Sequence, residues 1–390
     1  MDKILSSSSQ ERKPIRCKAA ICRKAGEALV IEEIHVYPPQ AYEVRIKIIC
    51  TTLCHTDLAF SKYDSGPLAR FPRILGHEAV GVVESTGEHV DTFKQGDVVL
   101  PVFHPHCEEC RDCKSSKGNW CSRFAEDLTS NTRRYGMASR FKDTMGEDIH
   151  HFFFVSSFTE YTVVDIAHLV KISPEIPVDR AVLLSCGVST GIGAAWKTAD
   201  IEEGSTVAVF GLGAVGLAVG EGARLRRAAQ IIGIDINPDK FALVGKKFGF
   251  TDFVNPTLCG DKKISEVIKE IARGGVDYSF ECVGIASVLS EAFISTRTGT
   301  GKTVALGINP AAPAELDSFG LFRGKHVCGS LFGGLKPKLD IPILVDRYLK
   351  KELNLDSFIT HELQFEDINK AFDLLEKGKS LRCILWMDKK

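Results

Sequence analysis

The stretch T-V-A-V-F-G-L-G-A-V-G at 206–216, followed at 231–235 by I-I-G-I-D, decides how this chain is read. Residues 207–210 form a short apolar run, the pattern of a buried parallel strand. Gly211, Gly213 and Gly216 then fall in G-x-G-x-x-G spacing. The first glycine permits a tight turn, the second lets backbone approach a pyrophosphate, and the third lets the next helix pack on the strand. The N-terminus of that helix offers free N–H groups and a positive dipole end to phosphates, with Leu212 and Val215 in the same cofactor-binding turn. Asp235 closes the second apolar run roughly twenty residues further on, where a ribose-binding acid belongs. A carboxylate there accepts both ribose hydroxyls of NAD(H) and repels a 2′-phosphate. NAD(H) is therefore expected in preference to the alternative, NADP(H).

Outward from this motif, 390 residues exceed one ordinary core, and about two domains are expected. A hydrophobic share of 44% with 25% charged residues is that of a globular protein, not a disordered one. A net charge of −1 gives no electrostatic footprint for nucleic acid or a membrane surface, so a small-molecule substrate is expected. No apolar run of about eighteen residues is present, and no membrane span is expected. The first fourteen residues lack an apolar core and carry Asp2 and Glu11. They read as a frayed tail, and a cytoplasmic location is the expectation. In that compartment thirteen cysteines point to metal ligation rather than disulfides.

The segment before the glycine motif has a different style. Residues 17–30 and 42–49 read as strands, the second alternating as V-R-I-K-I, and turns rich in Gly and Pro follow. Within it, Cys107, Cys110, Cys113 and Cys121 are spaced C-x-x-C-x-x-C-x7-C. Four thiolates so placed can close a tetrahedron around one zinc ion, and a set with no open position is structural. It would pin a lobe of about 104–123 that has little apolar content of its own. Cys54, His77 and Cys186 suit a second site: two thiolates and an imidazole with the fourth position open, a catalytic zinc set. Asp57 and Glu78 lie beside these residues in sequence and can orient an imidazole.

With these residues in view, the chain resembles the zinc-dependent medium-chain alcohol dehydrogenases, in the plant alcohol dehydrogenase-like branch. The resemblance rests on C-H-T-D at 54–57, G-H-E at 76–78, the four-cysteine lobe, S-C-G-V-S-T-G at 185–191, G-L-G-A-V-G at 211–216, D-I-N-P-D-K at 235–240, F-G-G at 332–334 and L-R-C-I-L at 381–385. It implies an α/β architecture. A GroES-like β catalytic domain would comprise 1–187 and 332–390, and a Rossmann doubly wound parallel-sheet cofactor domain 188–331. It also implies a homodimer and two zinc ions per subunit, one catalytic and one structural. Carried onto this chain, Cys54, His77 and Cys186 hold the catalytic metal, Asp57 bonds the imidazole, and Glu78 sits behind the metal. Thr56 passes the proton, His55 and Arg382 contact the pyrophosphate, Thr190 the nicotinamide side, and Lys240 the adenosine ribose. The implied reaction is hydride transfer between a nicotinamide cofactor and an aldehyde or primary alcohol polarised by zinc.

Two departures stand out. Ala59 occupies the position where the family carries its proton to a surface histidine. The stretch H-H-F-F-F-V-S-S-F places Phe152, Phe153, Phe154 and Phe158 together, with Phe154 and Val155 where ethanol-type plant enzymes usually have glycine and threonine. Phe103, Leu331 and Ile308 match pocket-lining positions. An aromatic wall suits a bulky or phenyl-bearing aldehyde of plant specialised metabolism, of the kind of hyoscyamine aldehyde. The alternatives are an ordinary ethanol-type enzyme and a same-fold reductase of C=C or iminium bonds.

Overall fold

Apolar runs flanked by glycine turns form a six-stranded, all-parallel sheet between residues 206 and 329 of the computed structural model. The model describes residues 13–66, 68–124, 139–243, 245–308 and 313–388, so most of the expected N-terminal tail lies outside the described residues. Across the sheet the strands run Asp252–Val254, Gln230–Ile234, Thr206–Phe210, Tyr278–Glu281, Lys302–Ala305 and His326–Gly329. The order is third, second, first, fourth, fifth, sixth, the doubly wound arrangement, and its direction reverses beside Thr206–Phe210. Val207, Ala208 and Val209 are fully buried because helices cover both faces. Gly211 takes φ +92°, and a Cβ on Gly216 would stand 1.8 Å from the Gly211 carbonyl oxygen. These two glycines let the helix Ala214–Leu225 start directly above the strand end.

The remaining strands build two antiparallel-style sheets. One runs Arg73–Ile74, Ile15–Cys22, Val30–Val36, Phe141–Asp143 and Asp148–Ile149. The other runs Leu169–Lys171, Val98–Pro101, Glu78–Thr86, Glu43–Thr52, Arg382–Trp386 and Ile359–Gln364, with Tyr161–Asp165 also on Glu43–Thr52. The stretch 17–30, expected as one strand, is two strands broken at 23–29, because Gly26 turns the chain at φ +79°. The polar stretch after residue 53 is a helix, His55–Lys62. No helix among the described residues is long and apolar enough to cross a membrane.

Candidate active site

The strand Glu43–Thr52 pairs with Glu78–Thr86 so that Thr52 faces Glu78. Both chains then carry their next chemistry to the same end. Past Thr52 the backbone turns through Cys54 into the helix His55–Lys62. Asp57, in its first turn, accepts the Cys54 N–H on Oδ2 at 2.9 Å. Asp57 Oδ1 accepts the Gly76 N–H at 3.1 Å and lies 3.0 Å from His77 Nδ1. One buried carboxylate thus fixes both segments and the imidazole tautomer. Cys186 stands at the break between the turn Val182–Ser185 and the helix Gly187–Gly193. The donor atoms of Cys54, His77, Glu78 and Cys186 all fall within 4.8 Å of one another, and all four residues are buried.

This cluster is electrostatically unbalanced as protein alone. The Cys186 thiol hydrogen bond, aided by His77, holds Cys54 well below the usual thiol range against the cost of burial. The Cys54 thiolate and burial together push Cys186 well above it. Burial opposes charge on His77, but Asp57 and Cys54 outweigh it and push the imidazole well above the usual histidine range. Two sulfurs and one nitrogen gathered so closely are the donor set of a zinc site with an open position. Behind it, burial raises the Glu78 carboxyl despite the Arg382 guanidinium. Glu78 is held there by Arg382 Nη2 at 3.2 Å, by the Thr52 hydroxyl, and by the Gly187 N–H at 3.4 Å. Arg382, expected on a pyrophosphate, is turned onto Glu78 and is only 4% exposed.

Aromatic rings wall the His77 side. Its ring centroid lies 5.9 Å from Phe103, 5.8 Å from Phe153 and 6.0 Å from Phe152. Phe103 and Phe153 are half-buried, whereas Phe152 is buried in the β core, stacked on Phe153 at 4.2 Å and against Phe60 at 5.4 Å. Phe152 therefore backs the wall rather than lining it. Phe154 turns elsewhere, stacked on His168, and Phe158 and Val155 are core. Leu331 is half-buried, its carbonyl accepting from Asn119 Nδ2 at 2.8 Å. Ile308, expected as a lining residue, is the last described residue before 313. It is 75% exposed, because its backbone packs on Gly284 and leaves the side chain outward. Thr56 is half-buried, its hydroxyl 3.6 Å from Cys54 Sγ, and His55 is exposed.

The four-cysteine set is likewise gathered, with Cys107, Cys110, Cys113 and Cys121 donor atoms within 4.8 Å of one another. The N–H groups of Cys110 and Cys113 donate to the sulfurs of Cys107 and Cys110, each at 3.3 Å. Burial would raise the Cys110 thiol, but the Cys113 N–H and neighbouring hydrogen bonds bring it down to about 6. Lys336 Nζ donates to the Cys113 carbonyl at 2.7 Å, tying the lobe to the far side of the chain.

At the glycine turn a Cβ on Gly213 would meet nothing within 4 Å, so the exposed turn is open for a ligand at the helix start. Asp235 Oδ2 accepts the Leu212 N–H and Lys240 Nζ, both at 2.8 Å, and Oδ1 accepts the Asn237 N–H at 2.9 Å. Lys240 is thus paired with Asp235, the acid expected at the ribose. Thr190 donates to the Cys186 carbonyl at 2.9 Å, and its side chain stays half-buried. Sequence reading missed Phe60, Thr52 and Asn119. Thr52 had one signal, its place two residues before Cys54 at a strand end.

Two family models match this chain: the alcohol dehydrogenase GroES-like domain over residues 40–174 and the zinc-binding dehydrogenase domain over 214–350. Alcohol dehydrogenase-like 5 of Arabidopsis thaliana is 80% identical over 390 residues, covering all of both chains. Alcohol dehydrogenase 1 of Petunia hybrida is 47% identical over 387 residues, 98% of this chain and all of that one. Among solved structures, an alcohol dehydrogenase zinc-binding domain protein of Burkholderia ambifaria superposes at a TM-score of 0.88 with 31% identity. Benzyl alcohol dehydrogenase of Acinetobacter calcoaceticus superposes at 0.84 with 28% identity, and each covers 96% of this chain and all of its own. The chain belongs to the zinc-dependent medium-chain alcohol dehydrogenase family, with a GroES-like domain and a Rossmann-type domain. It is an oxidoreductase of the zinc-dependent alcohol dehydrogenase type.

Proposed function

We propose that this enzyme interconverts a bulky or aromatic aldehyde and its primary alcohol, using NAD(H) and two zinc ions per subunit. The observation that carries the reading is the buried Cys54–His77–Cys186 cluster with the Phe103 and Phe153 rings within 6 Å of His77. Zinc on those three donors supplies Lewis acidity toward the substrate oxygen, and the nicotinamide supplies the hydride. The chain's own residues do the rest. Asp57 fixes His77 in its ligating tautomer, and Glu78 stays clear on Arg382 and Thr52. Phe103 and Phe153 exclude water and seat a planar apolar group. The Thr56 hydroxyl holds the proton at the substrate oxygen. Ala59 has no proton to pass on, so ordered water beside exposed His55 is the way out. Asp235, already accepting three hydrogen bonds, opposes a 2′-phosphate.

A homodimer is proposed as well. The edge strand His326–Gly329 is partly exposed, and Phe319, Phe322 and Ile308 are exposed nearby in sequence. Light scattering should return twice the 42.8 kDa of one chain.

The test is steady-state turnover with NADH and NADPH on acetaldehyde, benzaldehyde and phenyl-bearing aldehydes such as hyoscyamine aldehyde, using protein of measured zinc content. Highest kcat/KM on an aromatic aldehyde with NADH supports the proposal. Highest kcat/KM on acetaldehyde makes this an ordinary ethanol-type enzyme, and no aldehyde turnover at full zinc moves the reading to C=C or iminium reduction.

A further inference from the structure

Phe153 and Phe154 are consecutive bulky residues in the left-handed region, at φ +44° and +61°, and Ser156 follows at +51°. Side chains bearing a Cβ avoid that region, so surrounding contacts must impose it. The Phe152 carbonyl accepts the N–H groups of Val155 and Ser156 at 3.1 Å each, and Ser156 Oγ accepts the Phe152 N–H at 2.7 Å. The Ser157 N–H donates to the Gly76 carbonyl at 2.9 Å and the Phe158 N–H to that of Leu75 at 3.1 Å. The turn is thereby stitched to the segment that carries His77.

These bonds hold both sides of the left-handed pair but not the pair itself. Ring contacts anchor it: Phe153 lies on Phe152 at 4.2 Å and on Phe60 at 5.2 Å, and Phe154 stacks on buried His168, with centroids 4.6 Å apart and planes at 22°. His168 is in turn fixed to the residue before Phe103. The Val102 carbonyl lies 3.0 Å from His168 Nδ1, and the Val102 N–H donates to the His168 carbonyl at 2.8 Å. One chain of contacts thus joins the backbone behind Phe153 to the backbone behind Phe103, and those two rings flank His77.

We infer that Phe154 is a positioning residue that fixes the Phe153 ring over His77 and so sets selectivity for planar aromatic aldehydes. The inference rests on the reading of the Phe103–Phe153 side as the substrate side. A planar substrate gains when the ring it packs on is already held in one orientation, because less side-chain freedom is lost on binding. A two-carbon aldehyde covers too little of that ring to gain as much.

The experiment removes the Phe154 anchor while keeping the backbone easy to form. Phe154→Gly favours φ +61° but has no ring, Phe154→Leu keeps apolar bulk without a stack and serves if the glycine variant folds poorly, and Phe154→Tyr is the conservative rescue. The first readout is ¹⁹F NMR of zinc-loaded, full-length protein carrying 4-fluorophenylalanine at position 153. The parent should give one narrow line, F154G or F154L a shifted or exchange-broadened one, and F154Y the parent line again. The second readout is the benzaldehyde-to-acetaldehyde ratio of kcat/KM, which should fall about tenfold in F154G, mainly through the benzaldehyde KM, and return in F154Y. An unchanged ¹⁹F line in both anchor-loss variants overturns the inference whatever the rates. So does a loss of kcat/KM by the same factor on both aldehydes. A moved line in an enzyme whose parent turns over neither aldehyde leaves the positioning role standing and removes the aldehyde reading instead.

Discussion

Arg382 Nη2 lies 3.2 Å from Glu78 Oε1, 304 positions apart in sequence, with both side chains buried. The pair closes the back of the Cys54–His77–Cys186 cluster and keeps a carboxylate in reserve beside the metal position. Breaking one half leaves the other charge uncompensated in the interior. Arg382→Met should therefore lower unfolding free energy by about 3–5 kcal/mol. The double variant E78Q/R382M should recover more than half of that loss, because neither charge is then stranded. Urea denaturation of the four proteins checks this, and a double variant no more stable than R382M rules the pairing out as the cause.

The two cysteine-rich clusters should empty independently. Plasma mass spectrometry should find about two zinc ions per parent subunit and about one in either Cys113→Ser or Cys186→Ser. The two variants should differ in what they lose. C186S should lose aldehyde turnover with a small change in melting temperature. C113S should melt earlier, because the lobe around 104–123 has little else to fold it. Equal zinc in C113S and the parent would falsify the structural-site reading.

Cofactor choice should follow Asp235. Removing its charge in Asp235→Ser deletes the repulsion of a 2′-phosphate and frees Lys240, now 2.8 Å from that carboxylate, to pair with it. The NADPH-to-NADH ratio of kcat/KM should rise on the order of 100-fold, and salt should weaken the NADPH gain. Steady-state rates at two ionic strengths report both effects.

Acid should loosen the parallel sheet at Asp277. Burial would raise this carboxyl, but the Thr206 N–H and hydroxyl, each at 2.8 Å, and the Arg297 guanidinium outweigh it and hold it below the usual aspartate range. A carboxyl depressed by folding contributes stability that is fully present above its unfolded value, near 4, and that fades as pH falls through the lower folded value. The parent should exceed Asp277→Asn by about 1–2 kcal/mol at pH 7. That gap should shrink steadily below about pH 4 and close at more acid pH. A gap independent of pH would remove the charge from the explanation.

How much of this was legible depended on whether the signal was local. The glycine turn at 211–216 and the four cysteines at 107–121 carry their geometry in their spacing, and the backbone realises both. Cys54, His77 and Cys186 lie far apart, and no spacing rule joins them; residue type suggested them and resemblance assigned them the metal before the structure gathered them. The Arg382–Glu78 contact had no local trace; the resemblance spoke only of Arg382 and the pyrophosphate. The run Phe152–Phe153–Phe154 defeated periodicity, because its turn follows neither the helical nor the strand repeat. One ring is core, one faces the site and one lies on His168.

The strand Arg382–Trp386 sits inside its sheet, antiparallel to Glu43–Thr52 on one side and parallel to Ile359–Gln364 on the other. On the ribosome, that middle member emerges long after Glu43–Thr52, the strand it must join. The six-stranded parallel sheet needs only 206–329 and can complete itself while the tail is still inside the exit tunnel. The sheet carrying Cys54 and His77 must wait with an open seam at Cys50, Thr51 and Thr52. The middle of the chain thus has every strand its sheet needs before the earlier residues do, and Arg382 can reach Glu78 only after 206–329 has been made.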